Sequence, residues 1–434
     1  MTTTHRILHI ASGDFFSTYG GGQVYVKNIV DEMLRQDMDV AVISTVGDED
    51  RTETKSYNGA KLTEIGNATV GLRLKEIISG LSPDVIHAHS RKAEICAIGQ
   101  ELNIPVVVTA HHGGILCPAG TRMRTDDTIC HCTLSHKNCL PCTLRQISGG
   151  MRFFYPAVKH LSEDRYLKIG EIISKRRFIP FVTPIGCAAR NISNKTQEWK
   201  TVVENCTLMI APCQEIADAM TINGLDKEKL RIIPHGIPLP DHRTQYPPIA
   251  GKIKFFCVGR ICYIKGIHIL LEAFQHIEAP NIELHIIGGA GNKREEKYMS
   301  RIRQRFKSDK RIIWHGKIAP DNVFETIKPF HISVSATVSP EAFGLNIAES
   351  LAMGKPALAT RSGGSEQQIT DGFNGWLVPT NNPIALANKI KEIISAPEKL
   401  AEMSANCNAI SIKNHIKTLT EVYKYAKHLK TSVL

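Results

Sequence analysis

The stretch Ser339-Pro-Glu-Ala-Phe-Gly-Leu-Asn-Ile-Ala-Glu-Ser-Leu-Ala-Met-Gly-Lys-Pro356 decides how this chain is read. Its apolar spacing predicts a helix over Ala342–Met353, with Glu341 at the mouth and Glu349 on the first turns. Eight residues turn a helix through about 800° and raise it roughly 12 Å, so both acids are expected near one face. That span is comparable to the distance from the sugar to the ribose of a nucleotide sugar. Between them, the backbone N–H groups of Phe343, Gly344 and Leu345 fall at a helix N-terminus, where a diphosphate is welcome. Taken alone, the spacing favours an ordinary amphipathic helix with solvated acids. The surrounding sequence has to decide.

Working outward, strands and helices alternate on both sides of this block. Arg6–Ala11, Val40–Ser44, Val85–His89, Val106–Ala110, Leu208–Ala211 and Ile232–Pro234 read as short apolar strands. A helix is expected over Gln23–Arg35. The second half repeats the theme with strands at Ile253–Val258, Glu283–Ile287, Arg311–Trp314, Ile332–Ser335 and Ala357–Thr360. Helices at Gly266–His276, Arg294–Phe306 and Asp321–Ile327 lie between them. Such alternation argues for an α/β protein with two parallel sheets covered by helices. At 434 residues, two domains are the natural division. The proline-rich run 237–250 reads as the linker, since its prolines cannot serve central strands. The expected organisation is an N-terminal domain over 1–236, a C-terminal domain over 251–410 and a final basic amphipathic helix within 411–434.

Composition sets outer bounds. Hydrophobic residues make up 42% and charged residues 22%, the balance of a globular chain. No apolar run reaches the roughly 18 residues of a membrane span. The N-terminal Met-Thr-Thr-Thr-His-Arg lacks a secretory hydrophobic core, so a cytoplasmic protein is expected. The net charge of +11 is uneven. Between Arg145 and Lys200 there are 11 Lys/Arg against 4 Asp/Glu, with Phe153, Phe154, Tyr155, Tyr166, Phe178 and Phe181 interleaved. This pattern suits an anionic membrane surface or acceptor, or else a plain solvated helical face. No nucleic-acid-binding motif accompanies it, and no nucleic-acid partner is expected.

Several loops carry residues suited to chemistry. Gly20-Gly-Gly-Gln23 joins the first strand to the first helix, where Gly21 and Gly22 let a ligand approach the backbone. It lacks the G-x-G-x-x-G spacing of a dinucleotide site. Arg260 ends the strand Ile253–Val258 through Gly259, and Lys265 follows five residues later. Two cations in such a loop can neutralise a diphosphate leaving group without a metal. His111 follows the strand Val106–Ala110 and can bond a sugar hydroxyl or the reacting centre; sequence alone does not separate it from His112. Gly363-Gly364 with Glu366 reads as another ligand-facing turn.

The motifs in order resemble the retaining GT-B glycosyltransferases of family 4. The resemblance is carried by Glu341-Ala-Phe-Gly-Leu with Glu349, Gly354-Lys-Pro, Gly363-Gly-x-Glu366, Asp371-Gly-x-Asn-Gly-Trp-Leu, Gly259-Arg-x5-Gly266, Ile233-Pro-His-Gly236, Asp84-Val-Ile-His-x-His89 and Gly20-Gly-Gly-Gln23. It runs through nearly the whole chain. It implies two Rossmann-like doubly wound domains facing a cleft, with a UDP-sugar or GDP-sugar held mainly by the C-terminal one. Arg260 and Lys265 would then neutralise the diphosphate and Glu341 would contact sugar hydroxyls, helped by the N–H groups of Phe343, Gly344 and Leu345. Glu349 would bind the ribose diol, Gly21 and Gly22 would abut the diphosphate, and His111 would face the transferred sugar. The implied reaction moves a hexose or N-acetylhexosamine to a hydroxyl acceptor, such as a glycan, a lipid-linked glycan or a small molecule, with retention and no catalytic metal. A nucleotide-sugar epimerase or hydrolase of the same fold is the alternative, and a basic binding module a more distant one. Two departures from the family pattern stand out: Tyr263-Ile264 before Lys265 where Pro-Glu is common, and His235 where Asn is usual.

One region is idiosyncratic. Cys117, Cys130, Cys132, Cys139 and Cys142 fall within 26 residues, with His131 and His136 among them. The segment 113–145 reads as an irregular insertion. Cys139-Leu-Pro-Cys142 has the spacing of a zinc knuckle, so four of the five thiolates could hold a structural Zn²⁺. Free thiols, disulfides or a cluster are the other readings.

Overall fold

The computed structural model describes residues 6–11, 13–16, 20–47, 50–148, 165, 182–243 and 245–431. The chain divides into two compact units. The first comprises Met1–Ser17, Ile29–Ile233 and Lys417–Leu434; the second comprises Thr18–Asn28 and Pro234–Ile416.

The first unit is built on eight strands: β1 (Ile7–Ala11), β2 (Val40–Thr45), β3 (Thr52–Tyr57), β4 (Ala60–Ile65), β5 (Val85–Ala88), β6 (Val106–Thr109), β7 (Leu208–Ala211) and β8 (Leu230–Ile232). They lie in the order β3-β4-β2-β1-β5-β6-β7-β8. Every pair is parallel except the hairpin β3–β4. The central strands are buried almost throughout and mostly apolar because helices cover a parallel sheet on both faces. Ile7, Leu8, Val42, Val85, Ile86 and Val107 are all buried. The hairpin's outer strand, Thr-Glu-Thr-Lys-Ser-Tyr, is exposed along nearly its whole length and ends the sheet in polar side chains.

The second unit carries β9 (Ile253–Val258), β10 (Ile282–Ile287), β11 (Ile312–Gly316), β12 (Ile332–Ser335), β13 (Ala357–Thr360) and β14 (Gly375–Val378). All run parallel in the order β11-β10-β9-β12-β13-β14. Its core includes Phe256, Ile287, Ile327, Phe330 and Met353. The strand order reverses at β9–β12, the kind of switch point beside which open α/β sheets bind ligands.

The last helix, Ile412–Thr431, begins in the second unit and continues in the first from Lys417 onward. There Tyr423 and Leu419 are buried, Tyr423 is 2.7 Å from His87 Nδ1, and Lys427 donates to Asp84 at 2.6 Å.

Two expectations need correction. The cysteine-bearing stretch is not wholly irregular: Gly113–Ile115 forms a 3-10 turn and His136–Ser148 an α-helix. Leu140 and Leu144 of that helix pack on Ala188, Ala189 and Ile192, so it has an apolar core of its own. The helix of the Glu341 block starts at Leu345, not Ala342, and spans Leu345–Ala352. Glu341 precedes it because its backbone pairs elsewhere. Its N–H donates to Ser362 O at 2.7 Å, and its carbonyl accepts from Gly364 N at 2.8 Å. Of the basic aromatic segment, residues 149–164 and 166–181 lie outside the described residues. Among the described residues, no helix is long and apolar enough to cross a membrane.

Candidate functional site

In the second unit the two predicted cations lie close to the predicted acids. The turn after β9 carries Arg260, then a 3-10 turn Tyr263–Lys265 that closes on Gly266. Gly266 has φ +64°, and a Cβ there would sit 1.8 Å from Ala336 O. Only glycine permits this packing, and the packing aims Lys265 back toward the end of β12. Lys265 Nζ pairs with Glu341 Oε1, and Thr337 Oγ1 donates to Glu341 Oε2 at 3.0 Å. The two charged side chains are 28% and 16% exposed, a partly dry setting in which the pair is stronger than on an open surface. Cys257, Gly259, Arg260, Lys265, Ser335, Thr337 and Asn346 line a shallow depression beside this pair.

Arg260 extends from the same turn, 44% exposed, with Nη1 3.6 Å from Glu295 Oε1. Glu295 also accepts from Gly291 N at 2.7 Å, while its own N–H donates to Asn292 Oδ1. Arg260 therefore rests against a carboxylate at the start of the helix Lys293–Arg305, whose N-cap is Asn292.

Gly344, at φ +88°, caps the helix Leu345–Ala352. The N–H groups of Phe343, Gly344, Leu345 and Asn346 have no acceptor among the described residues, as expected for the first turn of a helix. Gln368 fixes this loop by donating to the Phe343 and Gly344 carbonyls. Gly21 lies against the same element: a Cβ on it would stand 3.3 Å from Leu345 Cδ1. Gly22 is the next residue of the helix Gly21–Arg35, which starts there. Glu349 is partly buried one turn into its helix, and burial pushes its carboxyl up to about 7.

His235, the departure from the family pattern, stacks on Tyr25 at 3.8 Å between ring centroids. Tyr25 OH in turn lies 2.7 Å from His415 Nε2. Burial holds His235 well below its ordinary pKa, so this stack is neutral.

In the first unit, His111 and His112 separate cleanly. His112 is exposed and caps the turn Gly113–Ile115, accepting from Gly114 N at 2.9 Å. His111 turns inward, with Nε2 2.9 Å from His89 Nδ1. Sequence reading did not reach the partners of His111, nor Thr337, Asn346 and Glu295. For His9, His89 and Thr337 the signal available was a polar residue inside or just after an otherwise apolar strand; Asn346 and Glu295 lie on helices.

The five cysteines carry no disulfide. Burial first, then their neighbours' sulfurs, pushes Cys139 up to about 12 and Cys142 up to about 11. Cys139 and Cys142 sit a turn apart on one helix with Pro141 between them. Among the described residues, the one trio of potential ligands with all atoms within 4.8 Å of one another is His9, His87 and His89. The sulfurs of Cys117, Cys130, Cys132, Cys139 and Cys142 do not meet that spacing. A tetrahedral zinc with bonds of about 2.3 Å needs closer sulfurs than these. As placed, the five thiols do not form a preformed zinc site.

Comparison with known proteins follows this geometry. Residues 240–409 match the family described as glycosyl transferases group 1, and residues 19–126 match glycosyltransferase family 4. The chain belongs to glycosyltransferase family 4. Its family relatives include a D-inositol 3-phosphate glycosyltransferase of Xylanimonas cellulosilytica, 23% identical over 49% of this chain and 54% of that one. Another is the D-rhamnosyltransferase WbpZ of Pseudomonas aeruginosa, 26% identical over 42% of this chain and 49% of the relative. The match thus spans about half the length of these curated relatives. Among solved structures, Anabaena HepE in complex with UDP and glucose superposes with a TM-score of 0.64. It is 16% identical, with 97% of this chain and 99% of HepE covered. Sucrose-phosphate synthase from Thermosynechococcus elongatus gives 0.64 at 17% identity, over 99% of both chains. At such identities the likeness establishes the fold, which is GT-B.

Proposed function

We propose that this family-4 member is a retaining glycosyltransferase that moves a hexose or N-acetylhexosamine from a nucleotide-diphosphate sugar to a hydroxyl acceptor. The observation that carries this reading is the Lys265–Glu341 pair beside the helix Leu345–Ala352, whose first N–H groups have no acceptor among the described residues, within one unit. Lys265 and Arg260 supply two cations for the charge that builds on a leaving diphosphate, worth several kcal/mol in a partly dry site. The N–H groups of Phe343, Gly344 and Leu345 add dipoles of the same sign. Gly21 and Gly22 give the diphosphate a side-chain-free approach. Glu341 accepts from sugar hydroxyls, Glu349 from the ribose diol, and His111 from the transferred sugar. The leaving phosphate oxygen takes the acceptor's proton on the face it departs from, which preserves the anomeric configuration. With two cations placed for the diphosphate, turnover in EDTA is expected to match turnover without it.

UDP is the first base to test, since HepE, of the same fold, was solved with UDP and with UDP-glucose. A thermal-shift panel of UDP, GDP, ADP, CDP and TDP, with their sugars, names the donor. A ligand at a hundred times its Kd adds about 2.7 kcal/mol to the native state and raises the melting point visibly. A silent panel would overturn the transferase reading. Consumption of the donor without any acceptor would favour the epimerase or hydrolase alternative.

A further inference from the structure

The first unit holds a row of four histidines at the C-terminal ends of three neighbouring strands. His9 of β1 and His87 of β5 are register partners across the parallel pair. His89 lies two residues beyond His87, and His111 two beyond Thr109 of β6, so the period of two puts them on one face. Three of them form a chain. His111 Nε2 is 2.9 Å from His89 Nδ1, His89 Nε2 is 3.0 Å from His9 Nδ1, and His9 Nε2 is 3.3 Å from Met33 Sδ. His9, His89 and Met33 are 0–2% exposed. His87 stands beside the chain and is bonded elsewhere, with Nδ1 to Tyr423 OH and Nε2 to Thr109 Oγ1, both at 2.7 Å.

The end of the chain sets its direction. A thioether sulfur accepts hydrogen bonds and cannot donate one. His9 therefore carries its hydrogen on Nε2, and its Nδ1 is an acceptor. His89 must then donate through Nε2 and accept at Nδ1, which requires His111 to donate through Nε2. Reversing every bond would face two lone pairs across the His9–Met33 contact and lose one interaction. The rings stay neutral because burial drives His9 down to about 3 and His89 well below its ordinary value. The Lys92 ammonium, 2.6 Å from the His89 carbonyl, adds to that cost.

We infer that Met33, acting through His9 and His89, fixes His111 as its Nε2–H tautomer and so makes Nδ1 the acceptor nitrogen of that ring. A ligand group that bonds His111 at Nδ1 must bring a hydrogen. A sugar hydroxyl qualifies; a phosphate or carboxylate oxygen does not. Met33, His9 and His89 are positioning residues. The kinetic part of this inference rests on the transferase reading, whereas the tautomer itself does not.

The test is long-range ¹H–¹⁵N NMR on the full chain labelled at histidine, with His111 assigned from a His111→Gln sample. Wild type is expected to show His111 protonated at Nε2 alone. Met33→Leu conserves volume and removes the acceptor, so both tautomers should appear in comparable amounts. Half the molecules would then be competent, and the donor KM should rise about twofold with kcat little changed. His9→Phe should give the same mixture. A protein with His111 protonated at Nδ1, or with one tautomer in all three samples, overturns the inference. So does stoichiometric metal lost on His9→Phe, because it would make His9, His87 and His89 ligands. A correct tautomer in a protein that transfers no sugar from any donor would leave the relay standing and sink the transferase reading.

Discussion

Lys265 reaches across 76 residues of sequence to pair with Glu341, and Thr337 holds the carboxylate's second oxygen. Removing either charge leaves the other half-buried and uncompensated. Arg260→Ala and Glu341→Ala are each expected to lower kcat by about 10²-fold or more with the fold intact by circular dichroism. The double variant Lys265→Ala with Glu341→Ala should lose less than the product of the single losses, since each single variant strands a charge. Independent, multiplying losses in a kinetic double-mutant cycle would mean the pair is not a functional unit.

Glu349 gives a pH signature. Its carboxyl sits at about 7 in the folded chain, against 4.5 for the ordinary group. Between those values the folded state binds the proton that the unfolded state has released, so stability falls as pH rises from 4.5 through 7. Glu349→Gln should raise the melting temperature at pH 8, leave it nearly unchanged at pH 4.5, and flatten the pH dependence between. Nucleotide affinity should move the opposite way. Wild type should bind more tightly as pH rises from 6 to 8, because a ribose diol donates best to a charged carboxylate. The glutamine variant should bind weakly at every pH. Calorimetric titration at three pH values checks both slopes.

Gly266 has no tolerant substitute. Alanine there would combine φ +64° with a Cβ 1.8 Å from a carbonyl oxygen. The expected cost is about 3 kcal/mol or more, with turnover lost alongside because Lys265 is the adjacent residue. Urea unfolding of Gly266→Ala reads it directly.

Gly21 should behave by size. Its would-be Cβ meets only the flexible end of Leu345, at 3.3 Å. Gly21→Ala is expected to fold normally with a modest rise in donor KM, and Gly21→Val to raise it much further. Equal KM values for the two variants and wild type would remove this glycine from the donor's surroundings.

The sequence discloses the alternation of strands and helices because central parallel strands are mostly apolar. The edge hairpin Thr52–Ile65 escapes that reading, since its outer strand is polar and exposed. Arg260, Lys265 and Glu341 are recognisable as residues, but their geometry is not. Glu341 fits a helical spacing with Glu349, yet its backbone is claimed by Ser362 and Gly364, a nonlocal pairing that no local pattern reveals. The relay behind His111 depends on the register of β1 against β5, which sequence does not print. Cys139 and Cys142 have the spacing of a knuckle and the conformation of a helix, because Leu140 and Leu144 found an apolar surface to cover.

The buried side of the last helix has a practical meaning for anyone dividing this protein. Tyr423, Leu419 and Ala426 are packed inside the first unit, and Tyr423 supplies a bond to His87 more than three hundred residues earlier. A fragment ending near residue 236 would lack that apolar strip, lay bare the surface it covers and take the Tyr423 hydroxyl from His87. Such a fragment is expected to aggregate when expressed alone and to be rescued by a peptide of residues 412–434 supplied in trans.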